Sequence, residues 1–434
     1  MASAHLTQTG SGSGFTIGTL SGWFKFSKDS SGTPQTLWGY QDGTSNASRF
    51  LPHIDTGNNQ IFVYAQNTAG NSTEIGLKTN RFLRDTSGWY HIVIAFDTTQ
   101  STASNRVKLY INGVQETSFA SSTYPSQNYV IKYMSSTSTS YIGNGGGGSN
   151  NYYYNGLITH VNFVDGTALT PTSFGQSDSN GVWIPKPSPS VTYGTNGFFL
   201  KMDNSGNMGL DSSGNSNNFT TSGTITQAKD TPSNVFATMN PLSKGSNISM
   251  SNGNTTVSNG SSDNSILGTI APANGKYYWE AKCTSASTYA NLGVTLASID
   301  GSNHSAVDGG RVVYSNNGTI YKEGLSGQGN TATGTSFTTN DIIGIAFDTE
   351  NGTLKFYKNG TLINTTTDNE FLYTNNLYIP CSGLNNGGFS FNFGNGYFGT
   401  TAVTSAGTNA SGIGIFEYDV PTGYTALSTK GLNL

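Results

Sequence analysis

Apolar and polar positions alternate most clearly over Asp341–Ile363, DIIGIAFDTENGTLKFYKNGTLI. Ile343 and Ile345 are spaced by small residues, and Leu354 and Phe356 alternate with Lys355 and Tyr357. A period of two turns one face of a strand inward and the other outward, so two strands are predicted here. Asp348-Thr-Glu-Asn-Gly352 between them is turn chemistry, because Asn and Gly tolerate positive φ. Asn359-Gly360 suits a type I′ hairpin turn. The same order occurs earlier, in Trp89–Gln115: Ile92-Val-Ile-Ala-Phe-Asp97 answers Ile343-Gly-Ile-Ala-Phe-Asp348, and Lys108-Leu-Tyr-Ile-Asn-Gly113 answers Lys355-Phe-Tyr-Lys-Asn-Gly360. Alternation and turn type alone are generic to antiparallel hairpins. The matched order of apolar strand, Phe-Asp, loop and Lys-x-Tyr-x-Asn-Gly favours two domains of related architecture.

Further short strands are predicted at Phe15–Lys28, Gln35–Tyr40, Ser48–Ile54, Gln60–Gln66 and Leu157–Val164. In the second half they fall at Asn247–Met250, Lys276–Thr284, Ala290–Leu296 and Arg311–Tyr314. Residues 1–14 read as an arm or a first edge strand, and Gly145–Gly148 as a loop. No long stretch has the 3.6-residue period, so almost no helix is expected. Pro185, Pro187 and Pro189 mark a semi-rigid connection, because Pro fixes φ and lacks a donor. Pro232 and Pro241 bracket the next transition. The expected organisation is one β-domain over 1–181, a crossover over 182–242 that partly completes it, and a second β-domain with a C-terminal extension over 243–434.

Composition narrows the function. The 434 residues accommodate two or three domains. Only 10% are charged, against about 25% in ordinary proteins. Gly numbers 56, a level that also fits disorder, but 12% aromatics argue for packed sheets with many loops. The formal charge is -4 with no basic cluster, which disfavours nucleic acid as partner. No apolar run approaches the ~20 residues of a membrane span, and the N-terminus lacks the basic and apolar regions of a signal peptide. Cys283 and Cys381 each sit in a strand-like run; spacing leaves both a disulfide and two free thiols open.

The first half, about 1–180, resembles concanavalin-A-like, laminin-G-type β-sandwiches. The resemblance rests on Trp89-Tyr-His-Ile with Phe96-Asp97, on Val107–Gly113, and on Tyr154-Asn-Gly156 before Leu157–Val164. Phe198–Thr220 is similar to the opening strand and turn of such domains, and is expected to fold back on the first sandwich. Over about 243–396, Lys276-Tyr-Tyr-Trp-Glu280, Asp341–Asp348, Gly352–Gly360 and Phe389-Ser-Phe-Asn-Phe-Gly394 resemble a SPRY domain. Both resemblances imply an all-β fold of two antiparallel β-sandwich (jelly-roll) domains. Gly181–Lys186, Tyr193–Leu200, Asp230–Phe236 and the tail through Lys430 resemble structural proteins of tailed phages. That likeness implies a virion-exterior protein, a fibre or a head or tail decoration, with other virion proteins and copies of itself as partners.

Some sandwiches of this shape are glucanases, so chemistry must be weighed. A retaining glucanase needs two carboxylates about 5–5.5 Å apart, which a Glu-x-Asp-x-Glu strand supplies on one face. The nearest fragment is Glu417-Tyr-Asp419, followed by Val420-Pro421. His5, His53, His91, His160 and His304 are available to a triad in principle, but no Gly-x-Ser-x-Gly elbow accompanies them. No His or Cys spacing fits zinc. Asp203-Asn-Ser-Gly-Asn207 and Asp211-Ser-Ser-Gly-Asn215 offer hard oxygens for Ca²⁺, with Asp203, Asp211 and Asn215 as ligands. The same segments are equally Asx-turns closed on their own backbone. Tyr and Trp beside Asn, Ser and Gly suit carbohydrate, making Trp38, Tyr40, Tyr152, Tyr153, Tyr289 and Asn291, in or beside predicted loops, the candidate ligand contacts. The sequon at Asn71 is a by-product of composition. The function expected is non-enzymatic attachment to host surface glycan, with a decoration or adaptor role that binds only virion proteins as the alternative.

Overall fold

The computed structural model describes residues 4–27, 33–42, 48–55, 57–67, 72–137, 139–146, 152–179, 181–299 and 310–433. Gly147, Gly148, Asn71 and His304 lie outside them. The chain divides into two compact units, Met1–Gln227 and Ala228–Leu434. Residues 182–227 thus pack within the first unit and 228–242 within the second. Both units are antiparallel β-sandwiches, and the described residues contain no α-helix, only short 3-10 turns such as Ala103–Asn105 and Pro171–Ser173.

In the first unit one sheet runs Phe119–Thr123, Ser72–Thr79, Ile61–Asn67, Arg49–Phe50, Trp38–Gln41, Thr139–Ile142, His5–Thr9 and Thr220–Ser222. The other runs Val114–Glu116, Val107–Ile111, Tyr90–Asp97, Ile17–Phe26, Gly156–Asp165 and Phe198–Leu200. Ile92, Ile94 and Phe96 turn into the main core with Leu20, Phe24, Ile61, Val63 and Leu109. Each such side chain contributes about 1.5–3 kcal/mol through its removal from water. Val93, on the opposite face, joins a small second cluster with Val164, Phe174, Tyr193 and Phe199. The chain after Asp165 folds across that outer face. Leu169 N–H donates to Thr19 Oγ1 at 2.8 Å, and that hydroxyl donates to Thr167 O at 2.8 Å.

Two expectations change here. His5–Thr9 is no edge, being paired with Thr139–Ile142 on one side and Thr220–Ser222 on the other. Trp38 and Tyr40 do not flank a loop surface. All four residues of Trp38–Gln41 are buried, Trp38 packing edge-on to Phe24 at 5.0 Å.

In the second unit two long strands, Lys276–Leu296 and Tyr378–Asn392, lie antiparallel along each other. The register slips between Cys283 and Ser285 and between Ala286 and Tyr289. Such bulges bend a strand, so its first half takes Ile342–Asp348 as its other neighbour while its second half takes Arg311–Ser315. The strands predicted at Lys276–Thr284 and Ala290–Leu296 are therefore one. Trp279, Leu292, Ile345, Phe356, Phe389 and Phe391 fill the core. Phe416, Val420, Tyr424 and Leu427 of the C-terminal segment bury against it, and Thr425–Ala426 pairs in parallel with Tyr277–Tyr278. Cys283 and Cys381 are buried and unbonded.

The repeated hairpin is built alike in both units. Asn112 and Gly113 have φ of 49° and 82°, and Asn359 and Gly360 have 48° and 81°. Each pair is a two-residue turn, between Ile111 and Val114 and between Lys358 and Thr361. Each Asn also clamps the preceding strand: Asn112 Oδ1 accepts from His91 N–H and Asn359 Oδ1 from Ile342 N–H, both at 2.8 Å.

Candidate functional site

The first unit carries an open groove of about 240 Å³, lined by Ala95, Asp97, Gln100, Asn105, Lys108, Tyr110 and Ala168–Thr170. Its floor is the outer face of the second sheet. Period two places Ala95 and Asp97 of one strand, and Lys108 and Tyr110 of the next, on that face. One wall is the turn at Ala168–Thr170, held by the Thr19 hydroxyl described above. The other is the loop 98–106. Arg106 fixes this loop by donating to the carbonyls of Gln100, Ser101 and Pro125, each at 2.8 Å. Asp97 closes the loop's start: Oδ1 accepts from Thr99 N–H at 3.2 Å and from its hydroxyl at 2.5 Å, and Oδ2 accepts from Gln100 Nε2 at 2.6 Å. These bonds, led by the Thr99 hydroxyl, hold the carboxyl below its ordinary pKa. The groove thus offers a preformed polar wall, a half-buried Tyr ring and the Lys108 ammonium, the mixture of aromatic face and hydrogen-bonding groups that suits a saccharide.

Beside it lies an arrangement that looks like the start of a hydrolase site. His91 Nε2 is 2.9 Å from Ser21 Oγ, and Trp183 Nε1 is 3.0 Å from His91 Nδ1. Indole nitrogen can only donate, so Nδ1 is the acceptor and the ring proton sits on Nε2, directed at Ser21. A catalytic triad requires the reverse, with Nε2 accepting the serine proton. His91 also stacks on Trp23 at 4.6 Å, and burial pushes its pKa down to about 3. The trio is a structural bracket between sheet and covering chain. His160, at a bulge in Gly156–Asp165, is likewise held neutral by burial, its pKa about 4.

In the second unit the matching outer face is covered. The carboxyl of Glu280, beneath the C-terminal segment, accepts from Glu417 N–H at 2.8 Å, Tyr418 N–H at 2.9 Å and Tyr278 Oη at 3.1 Å. Burial pushes it up to about 7 despite these donors.

The residues singled out from sequence do not form one site. Trp38 and Tyr40 are core. Asn291 is buried in the long strand, its Oδ1 accepting from Gly383 N–H at 2.7 Å. Its amide donates to the hydroxyl of half-buried Tyr289. Tyr152 and Tyr153 are half-buried in the first unit, Tyr153 against His5 at 5.7 Å. The Asp211 loop has the Asx-turn form. Asp211 accepts from the N–H groups of Phe199, Ser213 and Asn217 and from the Ser213 hydroxyl, at 2.8–2.9 Å. Asn215 turns its amide to Gly194 O and Gly197 O, and Asp203 stands exposed elsewhere. Asp97, Lys108 and Tyr110 are not among the candidates the sequence singles out. Their signal was the outward half of the repeated hairpin, Lys-x-Tyr.

These features define a protein of two β-sandwich units of lectin-like and SPRY type, folds consistent with binding roles. Residues 3–173 match the concanavalin A-like lectin/glucanases superfamily, and residues 276–396 match the SPRY domain; a concanavalin-A-like domain is followed by a SPRY domain. The chain is similar to the SPRY domain of human HERC1 (19% identity over 35% of this chain and 96% of that one, TM-score 0.29). It is also similar to the TRIM65 PSpry domain (13%, 36% and 89%, TM-score 0.29) and to stonustoxin (19%, 36% and 27%, TM-score 0.28). No curated protein matches it.

Proposed function

We propose that this is a non-enzymatic surface protein of a phage virion, a fibre or adhesin, that attaches to host surface glycan through its concanavalin-A-like unit. The observation that carries the reading is the groove on the outer face of Tyr90–Asp97 and Val107–Ile111, a polar trough with a tyrosine ring and prefixed walls. Among the described residues Asp97 is the one carboxylate that lines it, where retaining or inverting hydrolysis uses a pair. The phage-like segments, Gly181–Lys186 and Asp230–Phe236 among them, support the virion setting. Assembly with copies of itself and with other virion proteins belongs to the same reading.

The test is a glycan array probed with the full chain, in parallel with purified virions. Glycan binding without release of reducing sugar is the expected result. Silence on the array with tight binding to capsids or tails would replace adhesion by a decoration role, and sugar release would make the protein a hydrolase.

A further inference from the structure

We infer that the saccharide taken by the groove is acidic, a uronic acid or other carboxylated sugar, with Lys108 as the partner of its carboxylate. The inference rests on the glycan-binding reading above and names its ligand class. Lys108 is half-buried on the groove floor, and among the described residues its ammonium makes no hydrogen bond or ion pair. Two lysines beside the matching hairpin of the second unit are held in ion pairs. Lys276 reaches Asp348 at 3.4 Å and Lys358 reaches Asp341 at 3.2 Å. Lys355, the counterpart of Lys108, lies 5.9 Å from the centre of the Tyr424 ring.

Among the described residues Asp97 forms no ion pair with Lys108; its oxygens accept from Thr99 and Gln100 and its charge stays on the groove wall. Arg106, spent on the carbonyls of Gln100, Ser101 and Pro125, adds a second positive charge beside the groove. With Asp97 counted, the groove and its wall carry a surplus of one positive charge, which favours an anion. Tyr110 supplies a rigid face for a sugar ring, and the side-chain amide of Asn105, which makes no hydrogen bond among the described residues, supplies a donor and an acceptor for hydroxyls. At about 240 Å³ the groove is smaller than the roughly 300–1,000 Å³ that hold drug-sized ligands, a size for one or two sugar units.

Titration calorimetry of the full chain with an oligogalacturonate, its methyl ester and a neutral oligosaccharide tests this. The acid is expected to bind at least about tenfold better than its ester, and more weakly as salt rises. Lys108→Gln is expected to abolish that preference with an unchanged Tm, while Lys355→Gln leaves it intact. Equal binding of acid and ester, or an acid preference that survives Lys108→Gln, overturns the inference. If only neutral glycans bind, the inference fails and the adhesion reading stands. If no glycan on the array binds and virions do, both fail.

Discussion

The two hairpins share their turn, their Asn clamp and the inward Ile-x-Ile-x-Phe of their first strand, yet their outer faces have opposite fates. In the second unit Lys355 and Tyr357 lie under the chain's own end. Phe416 stands edge-on to Tyr278 at 5.1 Å, Tyr357 packs against Tyr278 at 6.4 Å, and Tyr424 faces Lys355. In the first unit the covering chain, with Leu169, Phe174 and Tyr193 on the outer face, leaves Lys108 and Tyr110 half-buried in an open trough. Register marks the difference. Glu280 pairs with Gly344, and Ser21 pairs with Val93, the matching position of the repeat. A carboxylate there holds down two backbone N–H groups of the tail; Ser21 meets only a histidine. One scaffold thus yields a sealed face and a free one through the strap laid over it.

The comparison breaks most visibly at the shared core. Leu109→Ala and Phe356→Ala, both fully buried, should each cost about 3 kcal/mol or more. Calorimetry should show each lowering the transition of its own unit. A common fall of both transitions would mean that the repeats are not independent.

Glu280 sharpens it next. Its folded pKa, about 7, exceeds the ordinary carboxyl value of 4.5. Between those values the native state keeps a proton that the unfolded chain releases. The stabilisation is therefore full below pH 4.5 and is lost as pH rises through 7, a change of about 3 kcal/mol. Asp341 and Asp348 are shifted down and titrate below this window. The second unit's Tm should fall from pH 5 to 8, and Glu280→Gln should flatten the profile. A slope that persists in the variant would assign it to another group.

Asn112→Ala and Asn359→Ala should each cost about 1–2 kcal/mol, since Ala is strained at φ near +49° and the clamp to the preceding strand is lost. Unequal values would show that one turn is better supported by its neighbours, read from denaturant midpoints. The smallest effect concerns the Asp211 loop. With both carboxylate oxygens already accepting, EDTA should leave the first unit's Tm within about 1 °C. A clear drop would make it a cation site.

Much of this was legible in the chain. Asn-Gly after Lys-x-Tyr-x fixes turn type and strand phase through local sterics, so both hairpins could be read before any tertiary fact. The fate of Trp38 could not. Trp38–Gln41 is covered on both faces, which erases the alternation that tells inside from outside. Tyr289 and Asn291 read as loop residues because the bulges of Lys276–Leu296 fall in Thr-Ser-Ala-Ser-Thr-Tyr, a composition that also makes turns. The groove was half visible. Lys108 and Tyr110 face outward by period two, but Asn105 and Leu169, 64 positions apart in the chain, meet only once the covering chain is laid down.

The free cysteines have a practical consequence. Both belong to the second unit, and burial pushes Cys283 up to about 11 and Cys381 to about 12, so neither is a thiolate at neutral pH. Maturation consumes no oxidant, and dithiothreitol has no crosslink to cut. An alkylating probe would react only when this half of the molecule opens, so its uptake serves as a clock for that opening, blind to the first unit.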